Sequence, residues 1–203
     1  VEESLRNEEL LQKVHISEAV ANIMAGRPKD ALARLDQDAL DQDIDALFWR
    51  AIARSQVGDF KGARADATQA YSIIDSYAPW AREMFLLAAT RAAIEEHYAD
   101  QAHEMIGDVV FAALTEPQVA EFNLLSGRIA ESEGRLDAAI DTYGQVIASE
   151  VRPWRAEAVY RTLKILDQQG RLDVARGAQT LAAEALLWRG DALEASMQGM
   201  LAD

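Results

Sequence analysis

The sequence predicts an all-α fold, built as a solenoid of paired helices. Three observations carry that expectation. The chain of 203 residues is half apolar and has only four prolines and eleven glycines, a composition that favours long helices over strands. Apolar residues recur at helical spacing in one segment after another. A glycine turn between two such segments also returns: Gly134-Arg135-Leu136-Asp137-Ala138-Ala139 is followed 36 residues later by Gly170-Arg171-Leu172-Asp173-Val174-Ala175. A period of that size in a helical chain marks stacked hairpins, each too small to bury its apolar face alone.

Residues 1–7 read as a lead-in. Over 8–25, Leu10, Leu11, Val14, Ala19, Val20 and Ile23 fall close to a 3.6-residue period. Gly26-Arg27-Pro28 ends this helix, because glycine takes the left-handed conformation and proline suits the first turn of the next. A second helix reaches about Ala39, and Asp41-Gln42-Asp43 offers caps for a third over 44–56. Gly58-Asp59-Phe60 breaks the chain before a fourth helix that runs through Ala63, Ala67, Ala70 and Tyr71 to Asp75. Pro79-Trp80 opens a fifth, His97-Tyr98 replaces a glycine turn, and a sixth carries Ala102, Ile106, Val109 and Val110. Pro117 begins the seventh, 136–149 is the eighth, Pro153-Trp154 begins the ninth, 172–187 is the tenth, and Gly190-Asp191 starts an eleventh.

Aligned on Gly26, Gly58, His97, Gly134 and Gly170, every unit has an alanine five residues past the turn: Ala31, Ala63, Ala102, Ala139 and Ala175. Seven residues before the turn stand Ala19, Ala51, Thr90, Gly127 and Leu163, mostly small. Small residues at facing positions let paired helices approach closely. The expected organisation is one domain, 1–203, with repeats near 8–40, 43–75, 79–113, 117–149 and 153–188. Residues 190–203 then form a partial sixth repeat or a capping helix. Leu193, Met197, Met200 and Leu201 give that last helix an apolar surface, which favours continuation of the protein beyond Asp203. The start at Val1 likewise suggests a piece of a longer protein.

A net charge of −14 and a pI near 4.6 argue against nucleic acid and against anionic lipid surfaces. Without cysteine there is no disulfide, thiolate nucleophile or thiolate metal site. No stretch reaches the roughly 20 apolar residues of a membrane helix, so the expectation is a soluble protein, cytoplasmic or periplasmic, with no direct membrane insertion. Arginine far outnumbers lysine, the usage of a GC-rich bacterial genome.

Catalysis finds little support, and no cofactor or metal is expected. His15 lies among helical apolar positions. His97 and His103 stand near Glu95, Glu96, Asp100 and Glu104 but straddle a turn and lack a zinc-binding spacing. No phosphate-cradling glycine loop or nucleophile elbow occurs. The four tryptophans read as packing residues, with Trp80 and Trp154 expected between neighbouring hairpins and Trp49 and Trp188 on helix faces.

The turns Gly58-Asp59-Phe60-Lys61-Gly62-Ala63 and Gly134-Arg135-Leu136-Asp137-Ala138-Ala139 resemble the tetratricopeptide repeat (TPR). The resemblance covers nearly the whole chain and is weakest at His97. The usual first-helix tryptophan is replaced by Leu47, Leu86, Asn123 and Val159. What it implies is a right-handed superhelix of about five hairpins whose first helices line a groove. By the family pattern the groove residues are Phe48 and Ile52, Leu87 and Arg91, Leu124 and Arg128, and Tyr160 and Lys164.

The cations Arg91, Arg128 and Lys164 would then recognise acidic side chains or a terminal carboxylate of a bound protein or peptide. The competing reading makes them intrahelical pairs with Glu95, Glu131 and Asp167, worth about 0.2–0.5 kcal/mol each. The family's chaperone-binding members use a polar carboxylate clamp, which the apolar Phe48, Leu87, Leu124 and Tyr160 do not reproduce. The expected function is a scaffold or adaptor. Two alternatives stand beside it: a ligand-sensing module that controls an attached domain, and self-association into a homo-oligomer through the C-terminal helix.

Overall fold

The computed structural model describes residues 2–149, 151–152, 154–185 and 192–202. Among these residues the chain is all helical, with eleven α-helices, three 3₁₀ turns and no strand. It divides into two compact units, Val1–Leu114 and Thr115–Asp203. The first holds α1 (Glu2–Met24), α2 (Pro28–Leu35), α3 (Ile44–Val57), α4 (Phe60–Ala70), α5 (Pro79–Glu95) and α6 (Ala99–Gly107). The second holds α7 (Glu116–Ser132), α8 (Leu136–Ser149), α9 (Trp154–Gln168), α10 (Val174–Ala185) and α11 (Ala192–Ala202). Within each unit successive helices pair and stack, α1 on α2, α3 on α4 and α5 on α6 in the first, and α7 on α8, α9 on α10 and α10 on α11 in the second.

One turn geometry is used five times. Gly26, Gly58, Gly134 and Gly170 take positive φ, and so does His97 at 64°. In each case the next residue's N–H donates to a carbonyl five residues back: Arg27 to Asn22, Asp59 to Arg54, Tyr98 to Ala93, Arg135 to Ala130 and Arg171 to Leu166. This is the Schellman closure, which satisfies carbonyls left open at the end of the first helix. His97 therefore does a glycine's work in spite of its Cβ.

The small facing residues are buried as the pattern requires: Ala19, Ala51, Thr90 and Gly127 on first helices, Ala31, Ala63, Ala102 and Ala139 on second helices. A Cβ on Gly127 would stand 2.4 Å from the Tyr143 ring, so here the approach requires glycine. The fifth pair departs from expectation. Its turn is two residues longer, and α10 begins at Val174 rather than Leu172. Ala175 is exposed, and Gly177 is the buried small residue. Counted from the start of each second helix, Ala31, Ala63, Ala102, Ala139 and Gly177 all stand fourth. The register follows the helix and not the glycine.

Other boundaries also move. The helix expected from Glu8 begins at Glu2, where successive glutamates suit a first turn. α2 and α4 stop early, and the chain continues in 3₁₀ turns, Asp38–Leu40 and Tyr71–Ser76, which bury Leu40 and Ile74. α6 ends at Gly107, leaving Val109 and Val110 outside it. The extra 3₁₀ residues and the longer α5 account for the wide interval from Gly58 to His97. The expectations for Pro153, Trp188, Gly190 and Asp191 lie outside the described residues. Of the apolar residues of α11, Met197 is buried, Leu193 and Met200 pack beside it, and Leu201 is exposed.

The first unit is organised around α3. Residues Ala46 through Ala53 are all buried, because α3 touches α1, α2, α4 and α5. A helix with neighbours on nearly every side loses its polar face, and Arg50 is buried with it. Its guanidinium makes two hydrogen bonds to Asp66 of α4, at 3.0 and 3.2 Å, and one to Asp41 at 3.0 Å. Arg54 adds a second donor to Asp66 at 2.9 Å. Asp43 caps α3 by accepting from the Ala46 N–H, and Asp59 caps α4 through the Gly62 N–H.

Candidate peptide-binding face

The residues that the family pattern assigns to a groove fall into two classes. Phe48, Ile52, Leu87 and Leu124 have at most 1 % of their surface exposed, so within a unit they are packing residues. Phe48 lies between two nearly parallel rings, Tyr77 at 3.8 Å and Phe85 at 4.5 Å. Arg91 and Tyr160 are half-buried, and Lys164 is exposed.

Arg128 is buried, with its Nη1 3.6 Å from the Glu157 carboxylate. Around it, Arg161 donates to Glu157 at 2.8 Å and to Glu131 at 3.2 Å, and the Tyr143 hydroxyl donates to Glu131 at 2.7 Å. Two arginines facing two glutamates leave this patch of the second unit locally neutral. Arg128 is therefore balanced from within the chain.

An open groove of about 430 Å³ lies in the first unit, lined by Lys13, Ile16, Ser17 and Val20 of α1, Asp45 and Trp49 of α3, and Tyr77. Phe48 and Ile52 stand ten and six residues before Gly58. The same offsets before Gly26 give Ile16 and Val20. Sequence reasoning applied this rule to four units and omitted the first, which is where the open groove lies. The signal was present in the spacing. Tyr77 came from no helical pattern: it follows the 3₁₀ turn Tyr71–Ser76 and folds back over α3.

The groove floor is apolar and its rim is charged. The Tyr77 hydroxyl donates to the Asp45 carboxylate. Burial first, then the Asp45 and Asp43 carboxylates, push the Tyr77 phenol far above its ordinary range, so it stays a donor. Lys13 is held by Glu9 at 2.6 Å. Trp80, expected between hairpins, is instead 46 % exposed, with its ring 5.8 Å from that of Trp49. Trp154 is half-buried against the core of the second unit.

Among the described residues no group of three or more His, Asp or Glu is placed to hold a metal ion, and no described helix is long and apolar enough to cross a membrane. A second open concavity, of about 640 Å³, is lined by His97, Tyr98, Ala99, Asp100, Gln101 and Glu104, and the Arg64 guanidinium lies 3.7 Å from the Tyr98 ring centroid.

No protein-family model matches the sequence, and no curated protein does. Among solved structures, the chain is similar to a thermophilic TPR protein of Thermus thermophilus, at 18 % identity with a TM-score of 0.61. The match covers 95 % of this chain and 100 % of that one. At the level of fold, this chain is TPR-like. At that identity the likeness speaks for the fold alone. It agrees with the repeated turns and helix pairs described above, and it extends over the weak His97 unit as well as the strong ones.

Proposed function

We propose that the chain is a non-catalytic scaffold that binds a segment of another protein on the face made by its first helices. The observation that supports this most is the open groove between α1 and α3, whose α1 residues Ile16 and Val20 stand at the register positions of that face. Its volume is in the range that accommodates a few side chains, about 300–1,000 Å³ for small sites. Backbone and charged groups at the rim would fix the orientation of the segment, and the apolar floor would supply the binding energy. In the second unit, the positions equivalent to Leu87 and Arg91 are held by Tyr160 and Lys164, which remain accessible for contact.

The test is selection of peptides from a displayed library against the wild-type chain, followed by affinity measurement on Ile16→Asp/Val20→Asp. Circular dichroism and thermal unfolding establish that the variant is folded. The expected result is that selected peptides bind wild type and lose more than about tenfold in affinity to the variant, as for a central apolar anchor. Unchanged binding to a folded variant, or a library that yields no binder, would contradict the proposal.

A further inference from the structure

The geometry points to a basic, amphipathic segment as the partner of the α1–α3 groove. This rests on the scaffold reading above and adds the chemistry of what is bound. Three features of the site lead to it, each of a different physical kind.

The first is the charge of the mouth. Residues 36–45 contain five aspartates and no lysine or arginine. Asp36 and Asp41 are occupied by Arg54 and Arg50. Asp38 opens the 3₁₀ turn, and Asp43 and Asp45 stand at the start of α3, with Asp45 on the groove wall. The positive end of α3 is already answered by the Asp43 cap. The one lysine on the wall, Lys13, is balanced by Glu9. Charges at the mouth thus sum to a negative value, and an anionic ligand would bring its own charge against it.

The second is aromatic. Trp80 is a large exposed ring beside the groove, in contact with Trp49. Indole faces attract lysine and arginine side chains, most of all next to carboxylates that hold the cation in place. The third is the apolar floor of Ile16, Val20 and Trp49, which requires that one face of the partner be apolar. Along α1, Leu10 and Val14 are exposed and lie seven and three residues before Ser17, so they extend the apolar surface out of the groove on the same side. A segment with aliphatic anchors on one face and lysine or arginine on the other satisfies all three. The sign is opposite to the one expected from Arg91, Arg128 and Lys164: Arg128 is balanced by Glu157, and on the α1–α3 wall Lys13 is balanced by Glu9, which leaves the Asp45 carboxylate to set the charge there.

The probes are three synthetic amphipathic peptides with one shared apolar pattern and polar positions filled with Lys, Glu or Gln. Binding to the full chain is read by fluorescence anisotropy at low and at physiological salt. The inference expects the Lys peptide to bind best, to weaken as salt rises, and to lose about two- to fivefold on Asp45→Asn. The same variant should leave the Gln peptide unchanged, and Ile16→Asp/Val20→Asp should abolish binding of both. Asp43→Asn keeps the α3 cap and should lower Lys-peptide affinity by a similar factor. If the Glu peptide binds best and Lys164→Glu is what weakens it, the inference is overturned while the scaffold reading survives. If the Gln peptide binds as well as the Lys peptide, the charge assignment is overturned and the apolar groove remains. If none binds, the inference falls, and the library selection above decides separately whether the scaffold reading falls with it.

Discussion

His97 is the one described residue other than glycine with a positive φ, and it closes its turn with the same pair of hydrogen bonds as the four glycines. A Cβ in the left-handed region costs about 1–2 kcal/mol, offset in part by the smaller entropy a histidine loses on folding. His97→Gly should therefore raise stability by about 0.5–1 kcal/mol in denaturant titration. Two glycines in neighbouring helices should respond in opposite directions to alanine. Gly144 of α8 has open space where a Cβ would go, and Gly144→Ala should stabilise by about 0.5–1 kcal/mol through helix propensity. Gly127 of α7 faces the Tyr143 ring, and Gly127→Ala should destabilise by about 1–2 kcal/mol in spite of the same propensity gain. Thermal unfolding of the two variants side by side separates close packing from backbone entropy.

Between helices, apolar burial and an ion cluster joining α3 to α4 help to hold the first unit together. Asp66 of α4 accepts from both Arg50 and Arg54 of α3, and Arg50 and Asp66 are buried. Asp66→Ala leaves the Arg50 charge buried without its main partner, a change that costs about 3–5 kcal/mol. Denaturant unfolding should show a loss of that size, whereas the exposed Glu18–Arg34 pair should give well under about 1 kcal/mol when broken. Element boundaries show where sequence reading succeeds and where it stops. The helix starts at Pro28, Ile44, Pro79 and Leu136 were legible because proline, aspartate caps and glycine turns act locally. The ends of α2, α4 and α6 were not, because apolar spacing continues through Leu40, Ile74 and Val109 after the backbone has left the helix. The start of α10 was misread although a signal was present: Asp173 caps the helix by accepting from the Arg176 N–H, which sets the start at Val174, and alignment on Gly170 placed it two residues early.

Across the whole chain, the repeated hairpin was readable because each unit repeats the same local solution to the same burial problem. The candidate face was half readable. Repeat register alone does not distinguish Phe48, sealed between Tyr77 and Phe85, from Ile16, which lines the open groove. That difference depends on Tyr77, a residue outside every helical pattern, and on Trp80, whose exposure no spacing rule predicts. Charge pairing was equally hidden. Arg128 and Glu157 are far apart in sequence, and only the packing of α9 on α7 brings them together.

The central claim is that the α1–α3 face is where a partner segment binds. Hydrogen–deuterium exchange of the chain with and without a saturating selected peptide tests it most directly. Slower exchange within residues 10–24 of α1, in α3 and in the chain around Tyr77 and Trp80 is the predicted result. Protection confined to α8 and α10, with α1 and α3 unchanged, would contradict it.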